Sequence, residues 1–436
     1  MSQDPRPTLP TGTGREDAVT RAYVWAHPLL LACTVRQNLT REDALPPAER
    51  ERFAGAPLGR IGHQRALSDP SFRVGVAPNV DTLYSVGWFD LADGPLDLDL
   101  PDLGKRYYTV QIGFADTTSV AVGQSTHGGQ LPPLHVRAPW HPSADRDLEI
   151  VSPHRQVMVA IRMLVEPSAP GDLARVHALQ DAVASRQDTS QAVGHDPLPD
   201  VDDVRRAGSS QSFVADLRRI LQDWPPADVP AGIRADLAAT GLDDPAIDLD
   251  AAWVTRAADR GRQLVLDAVS SLGRQVDGWT TNLRGVEFGE DWLLRAAVAA
   301  AQIYIEPATE AVYPVAETDA TGRRLHGAHR YRLTFGADSL PPADHFWSLT
   351  MYHAEGLLVD NELDRYAVGD RTPGLVRDPD GGLTIDVSAT EPTRGRANWL
   401  PCPPGGFRLM LRIYGPRAAC RDGSWTPPPV TAVEET

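Results

Sequence analysis

Between residues 74 and 165 the chain alternates in strand fashion. YYTVQIGF places Tyr108, Val110, Ile112 and Phe114 on one side of a two-residue period, the pattern of a half-buried strand, and VMVAIRMLV at 157–165 is an apolar, β-rich run broken only by Arg162. Asp93-Gly94, Pro101-Asp102, Gly128-Gly129 and Pro132-Pro133 punctuate these runs as turns, which predicts a mainly antiparallel β region. Ahead of it, Ala18, Ala22, Trp25, Leu29 and Ala32 recur at helical spacing, a helix packed beneath a domain that Pro28 is expected to bend or interrupt.

From about 171 to 312 the period is helical. Phe213, Leu217, Ile220 or Leu221 and Trp224 follow a capping pair, Ser209-Ser210, and precede the stops Pro225, Pro226 and Pro230. Trp253, Ala257, Gly261, Leu264, Ala268 and Leu272 form a second stripe; Leu293, Ala297, Ala300, Tyr304, Ala308 and Ala311 form a third. Segments 186–203 and 240–249 are polar and turn-rich, hence expected exposed loops. After Tyr313-Pro314 strand signals return: Tyr331, Leu333 and Phe335 alternate, and FRLMLRIY puts Phe407, Leu409, Leu411 and Ile413 on one face and Arg408, Met410, Arg412 and Tyr414 on the other, a face suited to a polar pocket. The predicted class is mixed α and β, predominantly β: two antiparallel β-sandwich or jelly-roll-like domains (16–170 and 291–436) joined by a helical region (171–290).

Composition narrows the partners. The 436 residues are 42% hydrophobic, enough for a sizeable core, while 36 Gly and 38 Pro argue against an all-helical bundle. A net charge of −16 argues against nonspecific attraction to nucleic acid or an anionic membrane, and no 18-residue apolar run predicts a membrane span. Cys33, Cys402 and Cys420 are too few and odd in number for a disulfide framework, and the polar N-terminus lacks a secretory pattern, so a cytoplasmic location is expected. A homo-oligomer is left open.

Among chemistry-bearing residues, no GxGxxG, Walker loop, GxSxG, HExxH or CxxC motif is present, and no cofactor is expected from motif. APNVDTLYS at 77–85 brings Asn79, Asp81 and Tyr84 close together: an amide, a proton acceptor and a proton donor, or a set of side chains satisfying turn amides. Arg162 and Arg412 interrupt apolar strands and are suited either to an anionic ligand or to internal ion pairs. Tyr352, Asn361, Arg365 and Tyr366 border a mixed run that lines a cavity or an ordered edge loop, and Trp399 is a ligand contact or a packing anchor. His326, His329, His345 and His353 are surface residues or scattered metal ligands, and Cys402 has no base nearby in sequence.

PNVDTLYSVGWFDL (78–91) followed by GKRYYTVQI resembles the N-terminal signature of DUF1254 proteins. EPATEAVYP (306–314), GRRLHGAHRYRLTF (322–335), PPADHFWSLTMY (341–352) and NWLPCPPGGFRLMLRIYGP (398–416) resemble their DUF1214 partner. The resemblance implies two β-rich domains with helical connections. It carries no catalytic set, so three functions stand side by side. The first is a cofactor-independent lyase, hydratase or hydrolase acting on a small polar or anionic metabolite, with Asp81 and Tyr84 as proton-transfer groups and Asn79, Arg162, Tyr352, Arg365, Trp399 and Arg412 as ligand contacts. The second is a noncatalytic module binding a metabolite, saccharide or protein. The third is a metal-dependent β-domain enzyme.

Overall fold

The computed structural model describes residues 7–41, 46–73, 75–166, 168–194, 198, 211–222, 229–247, 249 and 251–433. The expected Ser209-Ser210 cap, Trp224, Pro225 and Pro226, most of 195–203, and Asp248 lie outside them.

The architecture is mixed, with two sheet-rich regions separated by helices. After α1 (Arg15–Thr40) and α2 (Pro47–Arg52), the first region carries β1 (Ile61–His63), β2 (Thr82–Asp90), β3 (Leu96–Asp99), β4 (Tyr108–Phe114), β5 (Ser119–Gly123), α3 (Gln124–His127), β6 (Leu134–Arg137), β7 (Leu148–Val151), β8 (Gln156–Leu164), α4 (Asp172–Asp181) and β9 (Ala184–Gln187). Its strands form one antiparallel sheet, β1-β2-β8-β4-β5, and a second, β7-β6-β3-β9, in which β6 and β7 run parallel. One apolar cluster takes Leu83, Val110, Ile112 and Val159 from the first sheet and Leu96, Leu98, Leu134 and Val136 from the second. The predicted face of β4 is therefore core. Its other face is not open to water: Thr109 and Gln111 are buried as well.

The helices between the regions are α5 (Phe213–Gln222), α6 (Ala231–Thr240), α7 (Ala251–Ser270) and α8 (Trp292–Gln302). They gather around α1: Val19, Tyr23, Leu29, Phe213, Leu217, Ile233, Ala257 and Ala297 share a core. The other half of α1 does lie beneath a sheet, with Ala32 and Leu39 in one cluster with Val86, Trp88 and Met158. α1 runs without interruption through Pro28. The third helical stripe ends early. α8 stops at Gln302, and Tyr304, expected to continue it, has a left-handed backbone (φ +53°) that no L-residue adopts within a helix.

The second region contains β10 (Arg274–Val276), β11 (Trp279–Thr281), β12 (Ala311–Val312), β13 (Val315–Ala316), β14 (Arg330–Phe335), β15 (Ala343–His353), β16 (Ala367–Gly369), β17 (Leu383–Ser388), β18 (Trp399–Pro401), β19 (Phe407–Pro416), α9 (Ala418–Arg421) and β20 (Thr431–Val433). Its larger sheet is β10-β11-β13-β19-β15-β16, with β12 also on β19, and its smaller is β18-β17-β14-β20. Leu409, Leu411 and Ile413 of β19 and Leu349 of β15 share a cluster with Leu333, Phe335, Ile385 and Val387 of the smaller sheet. This leaves Arg412 and Tyr414 on the opposite face, where they meet the first region.

Candidate functional site

Strand register builds the first half of the site. β2 pairs with β8 so that Tyr84 lies opposite Arg162, and β8 pairs with β4 so that Arg162 lies opposite Thr109. Directly opposed residues share a face, so a phenol, a guanidinium and a hydroxyl form one polar row on the buried outer face of the sheet. The guanidinium lies 4.9 Å from the Tyr84 ring centroid, a cation–π contact. Arg162 pairs through Nη1 with Oε1 of Glu306 and donates through Nη2 to Gln111 Oε1 at 3.0 Å. Thr109 Oγ1 donates to the same Glu306 oxygen at 2.9 Å. Burial opposes charge on Arg162, but Glu306 outweighs it and the pKa lies above the ordinary value.

The second half comes from β15 and β19, where Ser348 lies opposite Arg412. Arg412 donates to Thr350 Oγ1 (2.8 Å), Tyr352 Oη (2.7 Å) and Ala77 O (2.8 Å). Tyr352 in turn donates to Pro78 O at 2.6 Å. The PNVD loop is thus gripped by the second region. Ala77, which receives the Arg412 bond through its carbonyl, is held at φ +54°, a conformation costly for a residue with a Cβ.

Within the loop, Asn79 Oδ1 accepts from Asp81 N (2.7 Å) and Thr82 N (3.3 Å), closing the turn, while its Nδ2 donates to Tyr414 Oη at 2.8 Å. Asn79 therefore fills the turn role and the inter-region role together. Asp81 is buried, with Oδ2 accepting from Ser348 Oγ at 2.5 Å and Oδ1 from Arg371 Nη2 at 2.8 Å. Arg371 also covers the Phe346 ring, 4.2 Å from its centroid.

Asp81 opens onto a cleft of about 520 Å³ between the two regions, lined also by Ser68, Ser348, Arg365, Tyr366 and Arg371. That volume falls within the range of small-molecule sites. Arg365 reaches the cleft, but its Nη1 is held by the carbonyls of Arg396, Ala397 and Trp399. Trp399 is buried, with its indole N–H on Ser388 O at 3.0 Å, and does not line the cleft. Asn361 closes its own loop through Val359 O and Arg365 O.

A second carboxyl, Glu310, is buried near Glu306. Glu310 accepts from Tyr107 Oη at 2.6 Å; burial first, and then the charge of Glu306, push its pKa up to about 7 against the pull of the Tyr107 bond. Glu306, Glu310, Ser348 and Arg371 were not singled out from sequence. The one available signal was the EPATEAVYP run, whose two glutamates border an aromatic tract. Burial pushes the Cys402 thiol up to about 12, and Cys33, Cys402 and Cys420 are buried without forming a disulfide. No group of three or more His, Cys, Asp or Glu among the described residues is placed to hold a metal ion. No helix among them is long and apolar enough to cross a membrane.

Fold and site together define a mixed α/β protein whose two sheet-rich regions meet over a polar, ion-paired cleft. Residues 58–187 match the family described as "Protein of unknown function (DUF1254)" and residues 310–418 that described as "Protein of unknown function (DUF1214)". The chain belongs to the proteins that carry these two regions in that order. No curated protein matches it. Among solved structures, the VPA0106 protein from Vibrio parahaemolyticus has the same fold: TM-score 0.72 at 20% identity, covering 97% of this chain and 100% of that one. An uncharacterised protein from Burkholderia cenocepacia matches with a TM-score of 0.46 at 13% identity, over 96% of this chain and 94% of that one.

Proposed function

We propose that the chain is an enzyme acting on a small polar or anionic metabolite in the cleft between its two β-rich regions, by proton-transfer chemistry of the lyase, hydratase or hydrolase kind. One observation carries this reading: the Asp81 carboxylate lies at the cleft wall with a hydroxyl and a guanidinium from the other region on its two oxygens. A carboxylate so oriented is a proton acceptor, and Arg371 is placed to meet an anionic group of the ligand. Arg412 and Tyr352 fix the loop that carries Asp81. We read each pair of sheets as a β-sandwich, because a single apolar cluster is shared by the facing sheets, and we place the protein in the cytoplasm, because its three buried cysteines form no disulfide.

The engagement of both Asp81 oxygens favours a second reading, a binding module in which the ion pair is an anchor. Turnover and calorimetry over one panel of polar metabolites, on wild type and Asp81→Asn, separate the two. Turnover that falls about 100-fold or more in the variant supports the enzyme. Binding without turnover supports the module, and undiminished turnover in Asp81→Asn removes Asp81 from the reaction.

A further inference from the structure

Away from the cleft, a serine of the first region meets a histidine of the second. Ser125 sits on α3, the single turn between β5 and Gly128, and His345 on β15. Ser125 Oγ lies 2.9 Å from His345 Nε2. Neither residue lines the cleft. Ser125 is exposed, whereas the imidazole is partly covered.

The surroundings lock the pair. The His345 ring packs on the Tyr107 ring, with centroids 4.9 Å apart. On its other flank is Gly415, at φ +63°: a Cβ there would lie 2.6 Å from His345 Cδ2 and 3.3 Å from Nε2, so the imidazole occupies space that only glycine leaves free. The serine turn is fixed by Thr126 Oγ1, which accepts from Gly123 N at 2.9 Å. Burial holds the His345 pKa below its ordinary value, opposed by Asp344, whose own carboxylate is paired with Arg417 at 2.7 Å. Burial thus favours the uncharged ring, whose Nε2 accepts from Ser125 when the ring proton sits on Nδ1. The charged and titratable groups around the pair are Asp344, Arg417, Tyr107 and the Glu310 carboxyl, which the Ser125 hydroxyl also reaches.

We propose that Ser125 and His345 form a nucleophile–base pair that performs acyl transfer on small, unhindered carboxylic esters. A serine within hydrogen-bond reach of an imidazole held in place by its packing is the minimal arrangement for this chemistry. As Ser125 Oγ bonds to the ester carbonyl carbon, its proton passes to His345 Nε2. Collapse breaks the bond to the leaving alkoxide, which takes that proton and departs as the alcohol. Water repeats the sequence on the acyl-serine, giving up a proton to His345 and then releasing the carboxylic acid as Ser125 recovers its proton. Exposure of Ser125 gives open access to compact esters.

The test treats the intact chain with a fluorophosphonate probe, maps the adduct by peptide mass spectrometry, and follows p-nitrophenyl acetate hydrolysis. The expected result is a single adduct on Ser125, absent in Ser125→Ala and formed about 100-fold more slowly in His345→Gln, with ester hydrolysis falling in parallel. No adduct above a heat-denatured control, an adduct on another serine that persists in Ser125→Ala, or an unchanged rate in His345→Gln overturns the proposal. Ser125→Ala changes an exposed position and keeps the test independent of how well the histidine variant folds.

Discussion

Two buried glutamates, Glu306 and Glu310, share the neighbourhood of one guanidinium, and their fates differ. Glu306 is paired with Arg162; Glu310 keeps its proton to about pH 7. Because the folded-state pKa of Glu310 is raised above its ordinary 4.5, the folded protein binds the extra proton. Its contribution to stability is full below pH 4.5 and is lost as pH rises through 7. The shift corresponds to roughly 3 kcal/mol. Denaturant titrations at pH 4.5 and 8 are therefore expected to show Glu310→Gln losing about that much less than wild type. At Arg162, replacement by Met strands a buried carboxylate and is expected to cost about 3–5 kcal/mol, most of it recovered when Glu306→Leu is added. Asn79, Asp81, Tyr352 and Arg412, singled out in the sequence, meet where the two regions touch, and Tyr84 and Arg162 pack on each other on the adjoining face of the first region's sheet. Ser348, Glu306 and Arg371 stayed hidden because nothing local distinguishes a polar side chain facing water from one facing another region. Arg365 and Trp399 had the right chemistry, but their principal hydrogen bonds are to backbone carbonyls.

At the scale of elements, the period of two located β4 and β19, since it reports the face that enters a core, whereas β8 was legible as an apolar run broken only by Arg162, because both of its faces are buried. The period missed that the reverse face of β4 is also covered, because Thr109 and Gln111 are buried by partners far along the chain. The helical period carried past the true end of α8 because Tyr304, Ala308 and Ala311 imitate a stripe. Gly261 shows why helix spacing alone understates packing. In the middle of α7 its replacement by Ala would ordinarily gain about 1 kcal/mol of helix propensity. Here a Cβ would lie 2.8 Å from Cδ1 of Tyr23 on α1, so the helices meet through the missing side chain. Overpacking of this kind costs about 1–3 kcal/mol. Gly261→Ala is expected to lower the thermal midpoint, and a rise would show that the contact between α1 and α7 yields.

Across the whole molecule, the sheet-rich regions are not free-standing beads on a helical string. α8 places Leu293, Ala296 and Ala297 in the core around α1, and Tyr304, just beyond it, packs edge-on against Trp88 of β2 at 5.7 Å between centroids. The next residues deliver Glu306 and Glu310 to the first region before the chain returns at β12 to the second region's sheet, which β10 and β11 have already joined ahead of α8. The segment from 291 to 310 thus belongs physically to both halves. A chain cut after Glu290 would expose the apolar face of α8 on one side and a vacant helical core on the other, while stranding Arg162 without its carboxylate. Fragments 1–290 and 291–436, expressed separately, are expected to lack the sharp, dispersed amide spectra of a packed fold, and mixing them should restore thermal cooperativity only if they reassociate. A separately folded 291–436 with a cooperative melt would mean that the buried ion pair and the α8 packing contribute little. In that event the two regions would be held together by the contacts of the 77–81 loop with Ser348, Tyr352, Arg371, Arg412 and Tyr414 and by the packing of Tyr107 on His345, and Asn79→Ala would loosen that contact without separating them.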